Sequence, residues 1–293
     1  MHILMTGGSG FLGTALIQRL LQDQHSITVT SRHPERFPLS HPLLTATTLK
    51  KLDSIGYADI VINLAGTGIA DQRWTEQRKA DLLHSRLQTT QALINWFQQL
   101  AIKPQQFLSG SAIGWYGSHG DQLIDEASTA EAGFSHELCQ QWEQCALQAQ
   151  ALGISTTLLR TGVVLDHAGG MLKQLKPIYQ WGGGGRLGSG QQWLSWISRN
   201  DWVNAVLFLM QHPLQGAVNL TTPNPVTQQQ FAKAFASSLN RPAIFPMPEP
   251  MVKLIFGEMS HLFLDSQKIV PNRLIQAGFH FEQPTLANAL SQN

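Results

Sequence analysis

The sequence predicts an α/β fold, a doubly wound parallel sheet followed by a smaller C-terminal α/β lobe, and three observations carry the prediction. Short β-branched runs alternate with amphipathic stretches through the first third of the chain, the pattern of a parallel sheet covered by helices. A glycine-rich turn, Gly7-Gly8-Ser9-Gly10-Phe11-Leu12-Gly13, lies between the first such run and the first helix. Beyond residue 165 the alternation dissolves into glycine- and proline-rich segments.

Taken in order, His2–Thr6 reads as the first strand and Phe11–Gln24 as a helix with Leu12, Leu16, Leu20 and Leu21 at helical spacing. Ser26–Ser31 is the second strand, Leu44–Thr48 a short third one in a proline- and threonine-rich stretch, and Asp59–Leu64 the fourth. Thr75 to Leu100 is the longest helical pattern, its apolar stripe assigned to Leu83, Leu87, Thr90, Ile94 and Phe97. A strand at Gln106–Ser109, a helix from Ser135 to Ala151 and a strand at Ser155–Leu159, ending in Arg160, complete the regular part. Gly182–Gly190 holds six glycines and reads as a loop. Trp202–Gln211 is a helix, Ala217–Leu220 a strand, and Thr227–Leu239 a helix opening at a capping threonine. After a break at Pro242–Pro250 come helices from Met251 and at Gln267–Ala277, then a Phe279-His280-Phe281 strand. The expected division is a dinucleotide-binding domain over 1–165, completed by segments around 196–220, and a substrate lobe over 166–293 with a helical extension at 245–293.

Composition narrows the function. Hydrophobic residues make up 43% and charged residues only 13% of the chain, with a net charge of +1 and no Lys/Arg block. A polyanion-binding surface needs clustered positive charge, so nucleic acid is not an expected partner. No apolar run approaches the ~18 residues of a membrane span, and the N-terminus lacks the pattern of a signal peptide. Cys139 and Cys145 fit neither a CxxC pair nor a zinc spacing, and no HExxH occurs among the eleven histidines. The expectation is a cytoplasmic protein without a structural metal.

The glycine turn carries chemistry because of its setting between a strand and a helix. Gly7 permits the tight turn, Gly10 lets the backbone approach a pyrophosphate, and Gly13 lets helix and sheet pack closely. The pyrophosphate would rest on the helix N-terminus, where unpaired N–H groups and the dipole favour anions. Thr6, Gly7, Ser9, Gly10, Phe11, Leu12 and Gly13 are therefore candidate cofactor contacts in a Rossmann-type sheet. An NAD-preferring site places a carboxylate at the end of the second strand. Here that place holds Ser31 and Arg32, suited to a 2′-phosphate, so the expected cofactor is NADP(H).

The Gly-x-x-Gly-x-x-Gly spacing resembles the extended short-chain dehydrogenases, and so does Asn63-Leu64-Ala65-Gly66 after the fourth strand. The resemblance implies that Leu64, Ala65 and Gly66 wall the adenine ribose. That group normally carries a Tyr-x-x-x-Lys pair that moves the proton while hydride moves to or from nicotinamide. The test is complete in a chain with three tyrosines: Tyr57, Tyr116 and Tyr179 are followed four residues on by Val61, Gly120 and Gly183. The pair is absent, and aligning the helix on Trp142-Glu143 puts Ser135 and Cys139 near its places. Ser109-Gly110-Ser111-Ala112-Ile113-Gly114-Trp115-Tyr116-Gly117 is similar to the substrate loop of sugar-nucleotide epimerases. Ser111 is thus the expected contact to a substrate oxygen, and Tyr116 is either a stand-in acid or a packing residue beneath the nicotinamide.

Over its whole length the chain resembles the atypical short-chain dehydrogenase 39U family of epimerase-like proteins, with its YfcH-type bacterial members. Further marks are Ile69-Ala70-Asp71-Gln72-Arg73-Trp74-Thr75 leading to Arg78, Ser85 and Arg86, then Leu138-Cys139, Leu159–Leu165 and Gly188-Ser189-Gly190-Gln191 with Trp196-Ile197. The resemblance implies NADP(H) and a cytoplasmic setting, without a defined substrate. Ser109, Arg160, Thr161 and Gly162, at the carboxyl ends of two strands, are candidate cofactor contacts, with a carboxamide contact from the backbone around Gly162. Trp74, Arg78 and Arg86 form a candidate substrate cluster, an aromatic wall beside cations suited to an anionic or planar ligand. Trp196 joins it if Trp193, Trp196 and the glycine loop form a lid; otherwise they are core with an irregular turn. Two functions follow: an NADP(H)-dependent oxidoreductase or epimerase acting on a small molecule, or a non-catalytic NADP(H)-binding regulatory or redox-sensing protein. The apolar segments Met251–Phe256 and Leu262–Leu264 suit a homodimer surface or a core contact equally.

Overall fold

A computed structural model describes residues 1–291. Strands β1 (His2–Thr6), β2 (Ser26–Thr30), β3 (Leu44–Thr47) and β4 (Ile60–Asn63) enclose helix α1 (Phe11–Gln22). Helix α2 (Glu76–Gln99), strand β5 (Gln106–Ala112), the short β6 (Leu123–Ile124), helix α3 (Phe134–Leu147) and β7 (Ser155–Thr161) follow. Next come β8 (Val163–Asp166), α4 (Gly170–Gln180), β9 (Trp193–Leu194), β10 (Trp196–Ser198), α5 (Arg199–Gln211) and β11 (Gly216–Leu220). The rest comprises β12 (Val226–Thr227), α6 (Gln228–Ser238), α7 (Glu249–Phe256), α8 (His261–Leu264), β13 (Lys268–Ile269), α9 (Asn272–Gln276) and α10 (Leu286–Leu290).

Seven strands form one parallel sheet in the order β11-β7-β5-β4-β1-β2-β3. The chain winds outward through β2 and β3, then returns to the far side of β1 for β4, β5, β7 and β11. The direction reverses between β1 and β4, and open α/β sheets hold their ligands outside the carboxyl ends at such a reversal. This is the expected doubly wound, Rossmann-type sheet.

Strand residues alternate between two cores, because successive side chains point to opposite faces. Ile3, Met5, Ile60, Ile62, Leu108 and Leu159 pack with α1 and α5 through Leu16, Ile17, Leu20, Trp202 and Val206. Leu4, Val61, Phe107 and Leu158 pack instead with Leu93, Ile94 and Phe97 of α2 and Ala146 of α3. The same pleat sends Thr6, Asn63, Ser109, Ser111 and Arg160 toward the α2/α3 layer, one residue beyond Met5, Ile62, Leu108, Gly110 and Leu159. Everything the site does follows from this parity.

Several expected elements shift. The α2 stripe buries Leu82, Thr90, Leu93, Ile94 and Phe97, whereas Leu83 and Leu87 are only half-buried. The helix starts at Thr75, whose side chain accepts from the Arg78 N–H. The helix expected over Gln267–Ala277 is split into β13 and α9. No strand forms at Phe279–Phe281; the two phenylalanines pack on each other, and Phe279 also meets Phe208. Among the described residues no helix is long and apolar enough to cross a membrane.

A third core joins α4, α6 and α10 around Leu172, Tyr179, Trp196 and Phe235. The carboxylate of Asp201, in the first turn of α5, accepts the N–H groups of Glu282 and Gln283 at 2.8 and 2.9 Å. That contact ties the C-terminal segment to the helix that covers the sheet.

Candidate functional site

The glycine turn adopts the geometry its spacing calls for. Gly7 has φ of +72°, and a Cβ there would lie 2.5 Å from the Leu64 carbonyl carbon and oxygen. A Cβ on Gly13 would lie 2.4 Å from the Gly7 oxygen. Gly10 is different: it sits at the N-cap of α1, exposed, and a Cβ there would meet only the Gly7 oxygen, at 3.3 Å. Open space thus lies over the N-terminus of α1, as a pyrophosphate requires. Ser9 is exposed beside it, and Leu64, Ala65 and Gly66 rim the crevice from β4. Phe11 and Leu12 begin the helix; the Phe11 ring packs on the Gly169–Gly170 turn and under the Arg199 guanidinium, 5.1 Å from its centroid.

Just after β2, Ser31 accepts the His33 N–H through its hydroxyl, and Arg32 is exposed and makes no ion pair among the described residues. Arg32 is thus an exposed, unpaired cation just past the carboxyl end of β2.

Thr6 and Ser109 do not face the crevice. The Thr6 hydroxyl donates to Asn63 Oδ1 at 2.6 Å, and Asn63 Nδ2 donates to Thr90 at 2.9 Å and to Ser109 at 3.5 Å. Parity turns these side chains into the α2/α3 layer, so they brace the β4 turn, whose Ala65 N–H also reaches Asn63 Oδ1.

Ser111 occupies the end of β5, and its hydroxyl donates to Glu143 Oε1 at 2.6 Å. Arg160 closes on the same carboxylate, Nε to Oε1 and Nη2 to Oε2, both at 2.8 Å. All three are nearly inaccessible to solvent. The Arg160 guanidinium also stacks on Trp115, 3.6 Å from the ring centroid. Burial alone would loosen its proton, but the bonds to Glu143 outweigh that and hold its pKa above the usual arginine value. Arg160 is therefore an internal partner of Glu143 and not the expected cofactor contact. Its Nη1 remains buried without an acceptor among the described residues.

The structure corrects Tyr116 as a stand-in acid. The ring is fully buried and its hydroxyl donates to Asn219 on β11 at 2.7 Å. Burial, opposed by Arg160, raises its pKa above the usual phenol value. Cys139, on the expected lysine place of α3, lies fully buried by the Ser111 hydroxyl and the Ala112 N–H. Burial, reinforced by the Glu143 charge, pushes its thiol up to about 11. Ser135, on the tyrosine place, abuts Gly114.

The backbone beyond β7 is already engaged. The Gly162 N–H donates to the Leu220 carbonyl and the Val163 N–H to the Ser195 carbonyl, both at 3.0 Å. The Thr161 hydroxyl donates to the Leu159 carbonyl and accepts the Trp202 indole N–H. These ladder bonds exclude the expected carboxamide contact through N–H groups. Trp196 is fully buried in the third core and donates to the Asn224 carbonyl, so it lines no substrate surface. The glycine loop is fastened at Gly188 and Phe245, a core with an irregular turn and not a lid.

Trp74, Arg78 and Arg86 do converge. Trp74 packs edge-on against Phe134, with Leu82, Leu138 and Met259 around it, and donates to the Ile69 carbonyl. Arg78 and Arg86 reach the loop after β4 through the carbonyls of Gly68 and Thr67. Of the apolar segments expected at a dimer surface or a core contact, Leu262 and Phe263 pack near Trp74, whereas Met251 and Leu254 on α7 are exposed.

The functional residue that the sequence alone does not single out is Glu143, which stands there only as an alignment mark. Its signal is a glutamate inside the apolar stripe of α3, flanked by Leu138, Cys139, Trp142 and Ala146. A buried carboxylate requires a partner, and Arg160 at the end of an apolar strand is that partner.

Residues 3–221 match the NAD dependent epimerase/dehydratase family, and residues 247–292 match a domain of unknown function, DUF1731. The epimerase family protein Mb2239 of Mycobacterium bovis is 37% identical over 98% of this chain and 96% of its own length. The epimerase family protein SAR0825 of Staphylococcus aureus is 34% identical over 98% of this chain and 97% of its own. Among solved structures, the human epimerase family protein SDR39U1 (isoform 2) with NADPH superposes with a TM-score of 0.89 at 29% identity, covering 99% of this chain and 98% of that one. The UDP-glucose 4-epimerase of Thermotoga maritima shares the fold, with a TM-score of 0.81 at 16% identity over 99% of this chain and 96% of that one. With the crevice, the glycine turn and the Ser111 loop in place, the chain belongs to the NAD dependent epimerase/dehydratase family and carries the C-terminal domain that accompanies its 39U-type members.

Proposed function

We propose that this chain binds NADP(H) across the carboxyl edge of β1, β2 and β4 and performs epimerase-like oxidoreduction on a small molecule seated against Ser111. The fit to the dinucleotide rests on the open N-terminus of α1 over Gly10 and on the unpaired Arg32 beyond β2. The human relative crystallised with NADPH supports the phosphorylated form of the cofactor. When bound, the cofactor supplies a hydride donor or acceptor at its nicotinamide.

The observation that carries the chemical reading is the bond from Ser111 to Glu143. A serine hydroxyl already donating to a carboxylate has its proton committed, so toward a substrate it can only accept, from a substrate hydroxyl, instead of donating to a carbonyl. Oxidation of that alcohol then sends its proton to Ser111 Oγ while the serine proton moves to Glu143. Arg160 orients the carboxylate and keeps it charged before transfer. This relay takes the place of the missing Tyr-x-x-x-Lys pair.

The test begins with equilibrium binding of NADPH and NADP⁺, followed by a screen of alcohols and carbonyls for absorbance change at the nicotinamide. Turnover that is lost in Ser111→Ala and falls with a shifted pH profile in Glu143→Gln supports the relay. Turnover indifferent to both substitutions sinks it, and absence of NADPH binding sinks the whole reading. A second reading, a non-catalytic NADP(H) sensor, is favoured by the burial of Tyr116, whose hydroxyl is taken up by Asn219, and by Cys139 on the lysine place. Tight NADPH binding without turnover of any screened compound would select it.

A further inference from the structure

Two guanidinium groups share one short loop whose single carboxylate, Asp71, is exposed. Arg78 Nη2 donates to the Gly68 carbonyl at 2.6 Å, and Arg86 Nη2 donates to the neighbouring Thr67 carbonyl at 3.2 Å. Arg86 Nη1 reaches the Leu82 carbonyl at 2.9 Å. Every acceptor named is a neutral peptide oxygen. The carboxylate that pairs with Arg78 is Asp71, 4.0 Å away and 61% exposed, where water screens it. Arg86 makes no ion pair among the described residues, although its side chain is largely buried.

Such a pair is unfavourable by itself, since each cation has left water and each repels the other. Burial, with Arg78 adding to it against the opposing pull of Cys139, lowers the pKa of Arg86. The Arg78 Nε is buried and bonds to no acceptor among the described residues. An uncompensated charge and an idle donor on the same arginine pair suit an anionic ligand.

The position of the pair says where such an anion would lie. The Arg86 guanidinium lies against Gly66, where a Cβ would be 3.1 Å from its Cζ, and over the Trp142 ring, 5.1 Å from the centroid. Gly66 rims the cofactor crevice, and Trp142 is followed by Glu143, which holds Ser111. Trp74 and Phe134 wall the outer side. Arg86 thus stands between Gly66 at the rim and Trp142, the residue before the glutamate that holds Ser111, and the pair lies on α2 and not on the pyrophosphate-binding turn of α1.

We infer that the substrate is an anion, bearing a carboxylate or phosphate group that Arg78 and Arg86 clamp while its reacting carbon faces Ser111. The inference rests on the proposed function of the same site, because it presumes a cofactor in the crevice. Arginine is well matched to this role, since its planar fork binds a carboxylate or a phosphate through two bonds at once.

The experiment uses the full chain saturated with NADPH and titrates malonate, inorganic phosphate and uncharged glycerol at constant ionic strength, with tryptophan fluorescence or heat as the readout. Malonate or phosphate should bind and glycerol should not, and the stronger of the two anions identifies the group. Arg78→Gln and Arg86→Gln should each weaken the anion about tenfold, the worth of one charge-assisted bond, and leave NADPH affinity unchanged. No anion binding to the wild-type holoprotein, or equal binding to the variants, overturns the inference while leaving the cofactor reading intact. NADPH affinity that falls in the variants also overturns it, because the pair then serves the cofactor. Should Arg86→Gln fail to fold, Arg78→Gln together with a loss of anion affinity at high salt in the wild type decides the matter.

Discussion

Ser111 and Arg160 bond to the same oxygen of Glu143, the hydroxyl at 2.6 Å and the guanidinium Nε at 2.8 Å. The carboxylate thus joins β5, α3 and β7 in one buried contact. Replacing Glu143 with leucine leaves Arg160 charged, buried and unpaired, and is expected to cost about 3–5 kcal/mol of stability. Glu143→Gln retains an acceptor oxygen and should cost less. Urea unfolding of both variants measures the gap, and a leucine variant as stable as wild type contradicts the pairing.

The glycines of the first turn should separate stability from binding. Gly13→Ala drives a methyl into the Gly7 oxygen at 2.4 Å and should lower the thermal midpoint as well as NADPH affinity. Gly10→Ala has an ordinary φ of −79° and only one near neighbour. It should shift stability by less than about 1 kcal/mol yet block the ground over the helix N-terminus. A thermal melt beside an NADPH titration reads both effects, and Gly10→Ala binding NADPH normally would contradict the placement of the pyrophosphate.

The role proposed for Arg32 is to discriminate between the two nicotinamide cofactors. Arg32→Ala should weaken NADPH about tenfold or more, as loss of a charge-assisted phosphate contact implies, and leave NADH as it was. Parallel titrations with both cofactors check it; a wild type that binds them equally removes the role assigned to Arg32.

Alkaline pH should unfold the protein through its buried phenols. Burial pushes Tyr179 up to about 12 and raises Tyr116 as well. Folded pKa values above the unfolded value mean that the stabilisation is whole below about pH 10. It is then lost as pH climbs toward the folded values, since only the unfolded chain releases the protons early. Absorbance titration of tyrosinate against a circular dichroism melt at each pH tests this, and phenols that all ionise near pH 10 without unfolding would refute it.

What the sequence conveys and what it withholds divide along contact range. The β1–α1 turn, the strands of the central sheet up to β7 and the Thr227 cap are readable because each is fixed by neighbours a few residues away, whereas the two-residue β6 carries no such signal. The α2 stripe is off by one residue in its first half, where Leu82 and not Leu83 is fully buried, because that end of the helix packs on Trp74, Leu138 and Met259 and not on the core beneath the sheet. The site contacts fail for a different reason. Arg160 and Tyr116 look available at the ends of their segments, yet Glu143 and Asn219 take them up from distant parts of the chain. Strand parity turns Thr6, Ser109, Ser111 and Arg160 into the α2/α3 layer, and it becomes visible only when the register is traced back from the apolar residues before them.

Strand β11 has a bearing on how the polypeptide emerges from the ribosome. Gly216–Leu220 zips onto β7 only after β8, α4, β9, β10 and α5 have been synthesised, and α5 is the helix that roofs α1. A nascent chain that has just released Thr161 therefore carries a bare strand edge and leaves Leu16, Ile17 and Leu20 partly wet. Its cofactor turn is already made, while the sheet beneath it still waits for its last strand. Translation of the stretch between β7 and β11 is thus the interval in which this protein most needs protection from pairing with a stranger.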